Sequence, residues 1–198
     1  MIRAAFFGMA LAAAVCAQQP QIENAKVETV AFRAPLAAQI LAGGTGPFWV
    51  GYSEAVAKGR QGDMCWGDNG YESHSLGAPV RLEGPSALVV LVRVENGTVD
   101  RIRISAPDCR VDAGGLPVYW VNGVPPDESL KWLRSLLTTP RANQALFAIS
   151  LHAEGAPVLI DMARQAALDK ATRRRVMTWL GQSKDPRATA FIDQILKP

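Results

Sequence analysis

The sequence is poor in histidine: only His74 and His152 occur among its 198 residues. Catalysis by a serine or cysteine nucleophile needs a base beside the nucleophile, so two histidines leave few possible arrangements. No CxxC or HExxH spacing is present, and glycines 43–46 are not followed by the Lys-Ser or Lys-Thr of a phosphate-binding loop. We therefore expect no cofactor and no metal, and these features favour a protein that is not an enzyme over an enzyme.

Long hydrophobic runs are also absent beyond the N-terminus, where the longest, residues 87–92, has only the length of a strand. A membrane-spanning helix needs about 20 apolar residues. The first residues are different, because Arg3 precedes an apolar run from Ala4 to Val15 and small residues follow. This pattern predicts a secretory signal peptide over residues 1–17, cleaved after Ala17, and hence a periplasmic or secreted protein with no transmembrane segment.

Cysteine is scarce, with three residues in all. Lipoprotein signals place a small residue directly before the acylated cysteine, and the bulky Val15 in that position argues against an anchor on Cys16. Cleavage of the signal removes Cys16 and leaves Cys65 and Cys109. An isolated pair in an oxidising compartment is expected to form a disulfide. Closing a loop of this length stabilises a fold by about 4 kcal/mol in the chain-entropy model.

The charge is nearly balanced, with 21 basic and 18 acidic residues and a net charge of +3. Residues 18–125 carry nine basic and eleven acidic residues, whereas residues 126–198 carry eleven and seven. This asymmetry is far from the basic stripe of a nucleic-acid-binding protein, so we expect no nucleic-acid partner. The composition does not specify an oligomeric state.

Composition also changes near Pro125, and this predicts an α+β protein with a small β-rich domain over 18–125. Alternating apolar residues predict strands in that domain, and Asn96-Gly97 between two apolar runs predicts a β-hairpin over 87–106 with a type I′ turn. Pairing Glu95 with Thr98 sets Val89 opposite Ile104 and Val92 opposite Arg101. The other predicted strands are Lys26–Arg33, Phe48–Val56 and Val118–Val121.

Residues 126–198 carry the start and stop signals of five short helices, a predicted antiparallel helical domain. Proline or aspartate opens several of the segments, as at Pro126, Asp169 and Asp185, and Gly155 separates two of them. His152 falls in the last turn of one helix, where a cation would suit the helix dipole.

The last four helices form two similar pairs. The first pair consists of the segment from Ala145 to His152 and residues 156–163. It parallels the second pair, which consists of the segment from Val176 to Gly181 and residues 188–196. Leu151 and Leu180 are equivalent positions of the two pairs. This pattern resembles the short bacterial form of HEAT repeats. The resemblance covers about the last 60 residues, and it implies a protein-interaction surface rather than chemistry.

Two chemical alternatives remain open. A small exported hydrolase could use His74 as its base, with Asp112 as a third member, although no nucleophile-elbow pattern is present. A metal or redox site could draw on Cys65, His74, Cys109 and Asp112, but no ligand spacing supports it.

The sequence thus favours an exported protein-interaction or scaffold module with an unidentified protein partner. The candidate binding residues are a tryptophan and a histidine in the polar loop of residues 59–77 and the densest charge run of the chain: Trp66, His74, Arg173, Arg174 and Arg175.

Overall fold

The structure is a computed structural model that describes residues 19–59, 66–67, 70–71 and 87–197. The signal peptide, Cys16, Cys65 and His74 lie outside the described residues, so the predictions made for them stay predictions. For Trp66, the backbone alone is described.

The chain forms a mixed β-sheet packed against helices, which confirms the predicted α+β class. The five-stranded sheet has the order β2-β9-β3-β6-β7. The pairs β2–β9 and β9–β3 are parallel, and β3–β6 and β6–β7 are antiparallel. The strands are β2 (Val27–Ala31), β3 (Phe48–Ala55), β6 (Ala87–Glu95), β7 (Thr98–Ser105) and β9 (Val118–Asn122). Three strands predicted from alternation are therefore present within one or two residues of their expected bounds.

Two short pairs of strands accompany this sheet. β1 (Gln21–Glu23) runs parallel to β8 (Arg110–Asp112), and β4 (Trp66–Gly67) pairs with β5 (Gly70–Tyr71). β4 also contacts β7.

The β6–β7 hairpin has the predicted turn but a different register. Asn96 and Gly97 have φ angles of 51° and 70°, and Glu95 pairs with Thr98. Val94 then pairs with Val99, but the next pair is Arg93 with Arg101, so Asp100 is an extra residue in β7. The predicted pairing beyond this point is wrong by one residue.

The bulge has a physical reason, because it aligns the apolar residues of the two strands. Ile102 lies opposite Val92 and Ile104 opposite Val90, and all four side chains are in the core beneath the helices. The register without a bulge would have placed Arg101 opposite Val92. Burial of apolar side chains on one face thus sets the register.

Six helices and one 3-10 turn are described. Of these, α1 (Leu36–Leu41) was not predicted, whereas the five helices of the C-terminal part match the prediction in number and order. They are α2 (Pro126–Ser135), α3 (Ala142–Leu151), α4 (Gly155–Arg164), α5 (Lys170–Gln182) and α6 (Pro186–Leu196), with a 3-10 turn at Leu136–Thr138.

The C-terminal helices pack as neighbours in sequence and across pairs. α4 contacts α3, α5 and α6, and α3 contacts α5. Two of the predicted caps form: Asp169 accepts hydrogen bonds from the backbone of Ala171 and Thr172, and Asp185 accepts one from Arg187. The HEAT resemblance itself stays a prediction.

One large hydrophobic core joins the sheet to the helices. It contains Val50 and Val90 of the sheet together with Leu133, Ile149 and Leu159 of the helices, all at most 1% exposed. The division predicted at residue 125 falls between β9 and α2, and the core is continuous across it.

The opposite face of the sheet carries a smaller cluster around Trp120, which also includes Val89 and Leu91. Gly51 of β3 makes this packing possible. A Cβ atom built on Gly51 would lie 2.6 Å from Cε3 of Trp120 and 3.0 Å from Cδ2 of Leu91. The glycine that interrupts the apolar run of β3 therefore leaves space for an indole ring.

We expect Gly51→Ala to destabilise the protein by about 1–3 kcal/mol, because the added methyl group overpacks a buried ring. Gly46→Ala is the matched control: no atom lies within 4 Å of its Cβ position, so its effect should stay within about 0.5 kcal/mol. Urea unfolding of both variants measures the difference, and equal stabilities would contradict this account of Gly51.

Candidate functional site

The three consecutive arginines of α5 differ in their surroundings. The guanidinium of Arg173 turns back to the C-terminal end of α4. Its Nη1 donates to the carbonyl of Ala163 at 2.9 Å, and its Nη2 lies 2.7 Å from the carbonyl of Gln165. The same Nη2 is within 3.4 Å of the carbonyls of Ala166 and Leu168. Arg173 thus donates to a carbonyl group in the last turn of α4 and to carbonyl groups of the loop that follows.

Arg174 and Arg175 are exposed on α5. Among the described residues, neither guanidinium has a hydrogen bond or an ion pair. Lys170, in the first turn of α5, is exposed as well, and the helix contains no acidic residue. The three side chains are therefore available to an acidic partner, and we call them the cationic face of α5.

The inner side of α5 explains why these residues point outward. Val176 and Leu180 are buried, four positions apart, and therefore lie on one side of the helix. Successive residues are rotated by about 100° around a helix, so three neighbours in sequence cannot share one environment.

The remaining predicted residues are only partly described. The backbone of Trp66 lies in β4, paired with Tyr71. Cys109 is 2% exposed. β4 begins one residue after Cys65, and it contacts β7, which ends four residues before Cys109. This arrangement favours the proposed disulfide, which stays a prediction.

Asp112, the third member of the hypothetical hydrolase site, has a structural role. Its Oδ1 accepts a hydrogen bond from the backbone N–H of Gly114 at 2.7 Å, and its Oδ2 accepts one from the side-chain amide of Asn24 at 2.7 Å. The carboxylate therefore holds the turn that follows β8 and joins it to Asn24, the residue after β1.

Sequence reasoning missed two polar side chains, those of Tyr52 and Glu54, in the inward-facing row of β3. Phe48, Val50, Tyr52 and Glu54 alternate along this strand and all face the helices. The period of two could have revealed the row, since it places Tyr52 and Glu54 on the same face as two residues expected in the core.

Tyr52 lies beneath α2 and is fully buried. Its hydroxyl group is 3.2 Å from Oγ of Ser129, and its ring packs edge-to-face against Trp132 with centroids 6.3 Å apart. Burial raises the pKa of Tyr52 well above its usual value, with a further contribution from the nearby Glu54. The hydroxyl group therefore stays neutral and bonds to Ser129.

Glu54 and His152 form a second buried contact, between β3 and the end of α3. Their side chains are 4% and 0% exposed, and Oε2 of Glu54 is 3.7 Å from Nε2 of His152. Among the described residues, neither Oε1 of Glu54 nor Nε2 of His152 has a hydrogen-bond partner.

Burial disfavours the charged forms of both side chains. It raises the pKa of Glu54 to about 8, and the negative charge of Asp127 adds to this effect. It lowers the pKa of His152 to about 4, against an opposing effect of Glu154. Near neutral pH the histidine is therefore uncharged and does not place a cation at the end of this helix.

The second ring nitrogen fixes the tautomer of His152. Nδ1 accepts a hydrogen bond from the backbone N–H of Glu154 at 3.2 Å. The neutral ring therefore carries its proton on Nε2, which faces Glu54. A protonated Nε2 cannot ligate a metal, and the enclosed pair gives no surface for a substrate. The contact lies in the interior, between β3 and the end of α3.

Comparisons with known proteins add no assignment: no family model, no curated protein and no solved structure matches the chain. In the part of the chain that the structure describes, no group of three or more His, Cys, Asp and Glu side chains could hold a metal ion. None of the described helices has the length and apolar character needed to cross a bilayer.

We expect Arg173→Ala to destabilise the protein by about 1–3 kcal/mol, because it removes the guanidinium donor of the Ala163 carbonyl and of the loop carbonyls after α4. Arg174→Ala removes an equal charge from the next position and should change stability by no more than about 0.5 kcal/mol. Thermal unfolding of the two variants makes the comparison; a larger loss in Arg174→Ala would refute the assignment.

Tyr52→Phe should cost about 1–2 kcal/mol, because it leaves the buried Ser129 hydroxyl without its partner. Adding Ser129→Ala removes that unsatisfied group, so the double variant should lose less stability than the two single variants together. A double-mutant cycle by urea unfolding tests this, and strictly additive losses would show that the hydroxyl groups do not interact.

Proposed function

We propose that the chain is an exported, non-enzymatic partner-binding protein that binds an acidic protein surface through the cationic face of α5. The observation that carries this proposal is the distribution of charge on α5. Arg174, Arg175 and Lys170 are exposed on a helix that has no acidic residue between Lys170 and Gln182. Arg175 interacts electrostatically with the N-cap Asp169, but among the described residues none of the three side chains forms an ion pair.

Three arginines elsewhere on the surface provide a contrast, because each of them is paired with carboxylates. Arg93 pairs with Glu95 and Asp100, Arg110 with Glu23, and Arg187 with Asp185 and Glu154. A folded protein gains little stability from several positive charges placed close together. Complementary charge across an interface, in contrast, accelerates association and selects partners.

The helical packing supports the same proposal. α5 lies in the group of helices that resembles HEAT repeats, a type of structure that implies a protein-interaction surface. Arg173 fixes the start of α5 on the end of α4, so the cationic face belongs to a rigid support. Preorganised side chains lose less entropy on binding.

The test is co-purification of partners from the envelope fraction of the source cell with the tagged protein under non-reducing conditions. We expect a stoichiometric acidic partner whose capture weakens at least 10-fold in Arg174→Glu/Arg175→Glu and decreases with added salt. Arg33→Glu/Arg134→Glu is the matched control, since it changes the net charge equally at two exposed positions outside α5.

Equal loss of capture in both double variants would show that net charge rather than the cationic face is responsible. Capture unaffected by Arg174→Glu/Arg175→Glu would refute the assigned surface, and Trp66→Ala would then test the other predicted contact. Binding to anionic vesicles without any protein partner would replace the proposed partner by a lipid surface.

A further inference from the structure

The end of β3 is joined to the turn between α3 and α4 by main-chain contacts. The backbone N–H of Ala57 donates to the carbonyl of Leu151 at 2.8 Å, and that of Ala153 donates to the carbonyl of Ala55 at 2.9 Å. Val56 and His152 form a β-bridge between them. We call these contacts the joint; they connect the sheet directly to the helical part.

The buried pair of Glu54 and His152 lies within the joint. Glu54 precedes Ala55 on β3, and His152 is itself the residue that forms the bridge. The two side chains face each other at 3.7 Å, and each has a buried polar atom without a hydrogen-bond partner among the described residues. The joint therefore closes over two groups that can change their charge.

A proton added to His152 acts directly on the adjoining turn. Nδ1 is the acceptor for the N–H of Glu154, and a protonated Nδ1 becomes a donor that cannot accept this bond. The turn that leads into α4 would lose its side-chain support.

Loss of the proton from Glu54 acts on the joint in the same sense. The carboxylate would be enclosed with one unpaired oxygen, near the charge of Asp127 on α2 and the phenol of Tyr52. On β6 its neighbour is the apolar Leu88, and on the α4 side the charged group near the pair is Glu154. A charge on one of the two side chains alone is thus poorly accommodated.

We propose that the joint is a pH-sensitive latch, closed while Glu54 and His152 are both neutral and opened when only one of them becomes charged. Opening separates the end of β3 from the α3–α4 turn and admits water to the pair. The inference is independent of the proposed partner.

The two groups respond to pH in opposite directions. In the closed state the pKa is about 8 for Glu54 and about 4 for His152. In the open state each side chain returns toward its ordinary pKa, which is 4.5 for Glu54 and 6.5 for His152. The glutamate therefore favours opening as the pH rises above about 4.5, and the histidine favours opening as the pH falls below about 6.5. The latch is expected to be tightest near pH 5.5.

Hydrogen exchange of the Ala57 and Ala153 amides measures the opening, after correction for the intrinsic exchange rates. The amides of Val90 and Val92, on an internal strand, report global unfolding. In the wild-type protein the opening constant should fall about 10-fold between pH 8 and pH 5.5.

Glu54→Gln gives the sharpest test because it removes one titration and retains the shape of the side chain. The response should reverse in this variant, with opening increasing about 20-fold from pH 7 to pH 5. His152→Asn keeps an acceptor for the Glu154 N–H but cannot be protonated, and its opening should decrease about 70-fold over the same range.

Unchanged pH dependence in Glu54→Gln would overturn the proposal. The proposal would also be overturned if the amides of Ala57 and Ala153 exchanged only together with those of Val90 and Val92, because the joint would then have no opening separate from global unfolding. If His152→Asn does not fold, the reversal in Glu54→Gln still decides the question.

Discussion

The packing of both faces of β3 is the constraint on which the rest of the structure depends. This strand is the middle one of the five-stranded sheet, and its residues alternate between two environments. Phe48, Val50, Tyr52 and Glu54 contact the helical layer, whereas Gly51 leaves space for Trp120 on the opposite face. A shift of β3 by one residue would exchange the two sets and destroy both packings.

Features determined by local chemistry could be predicted from the sequence. The Asn96-Gly97 turn and the caps at Asp169 and Asp185 depend on residues within a few positions of one another. The bulge at Asp100 depends instead on the core that the hairpin enters, because Ile102 and Ile104 must reach the helical side. Helix α1 was missed for a similar reason: it has only six residues, and Leu36 and Ile40 are stabilised by burial rather than by helix signals.

For the buried polar residues, too, local features could be predicted and contacts between distant residues could not. Alternation along β3 contains enough information to place Glu54 inward, but the contact with His152 joins residues almost 100 positions apart. No local pattern reveals that pair, or shows that His152 is neutral because it is buried. A histidine at a helix end is expected to favour its charged form in water, whereas loss of hydration lowers the pKa of His152 here against the opposing effect of Glu154.

The three arginines of α5 show why a run of like charges is not a functional unit. Arg173 lies close enough to the end of α4 to bond to its carbonyl groups, and its charge is used within the fold. Arg174 and Arg175 follow at rotations of about 100° and face solvent. The first arginine thereby fixes the helix on which the next two are presented. A binding role for the cationic face and a structural role for Arg173 are therefore complementary, because the exposed charges can be held in a defined place only if the start of the helix is anchored.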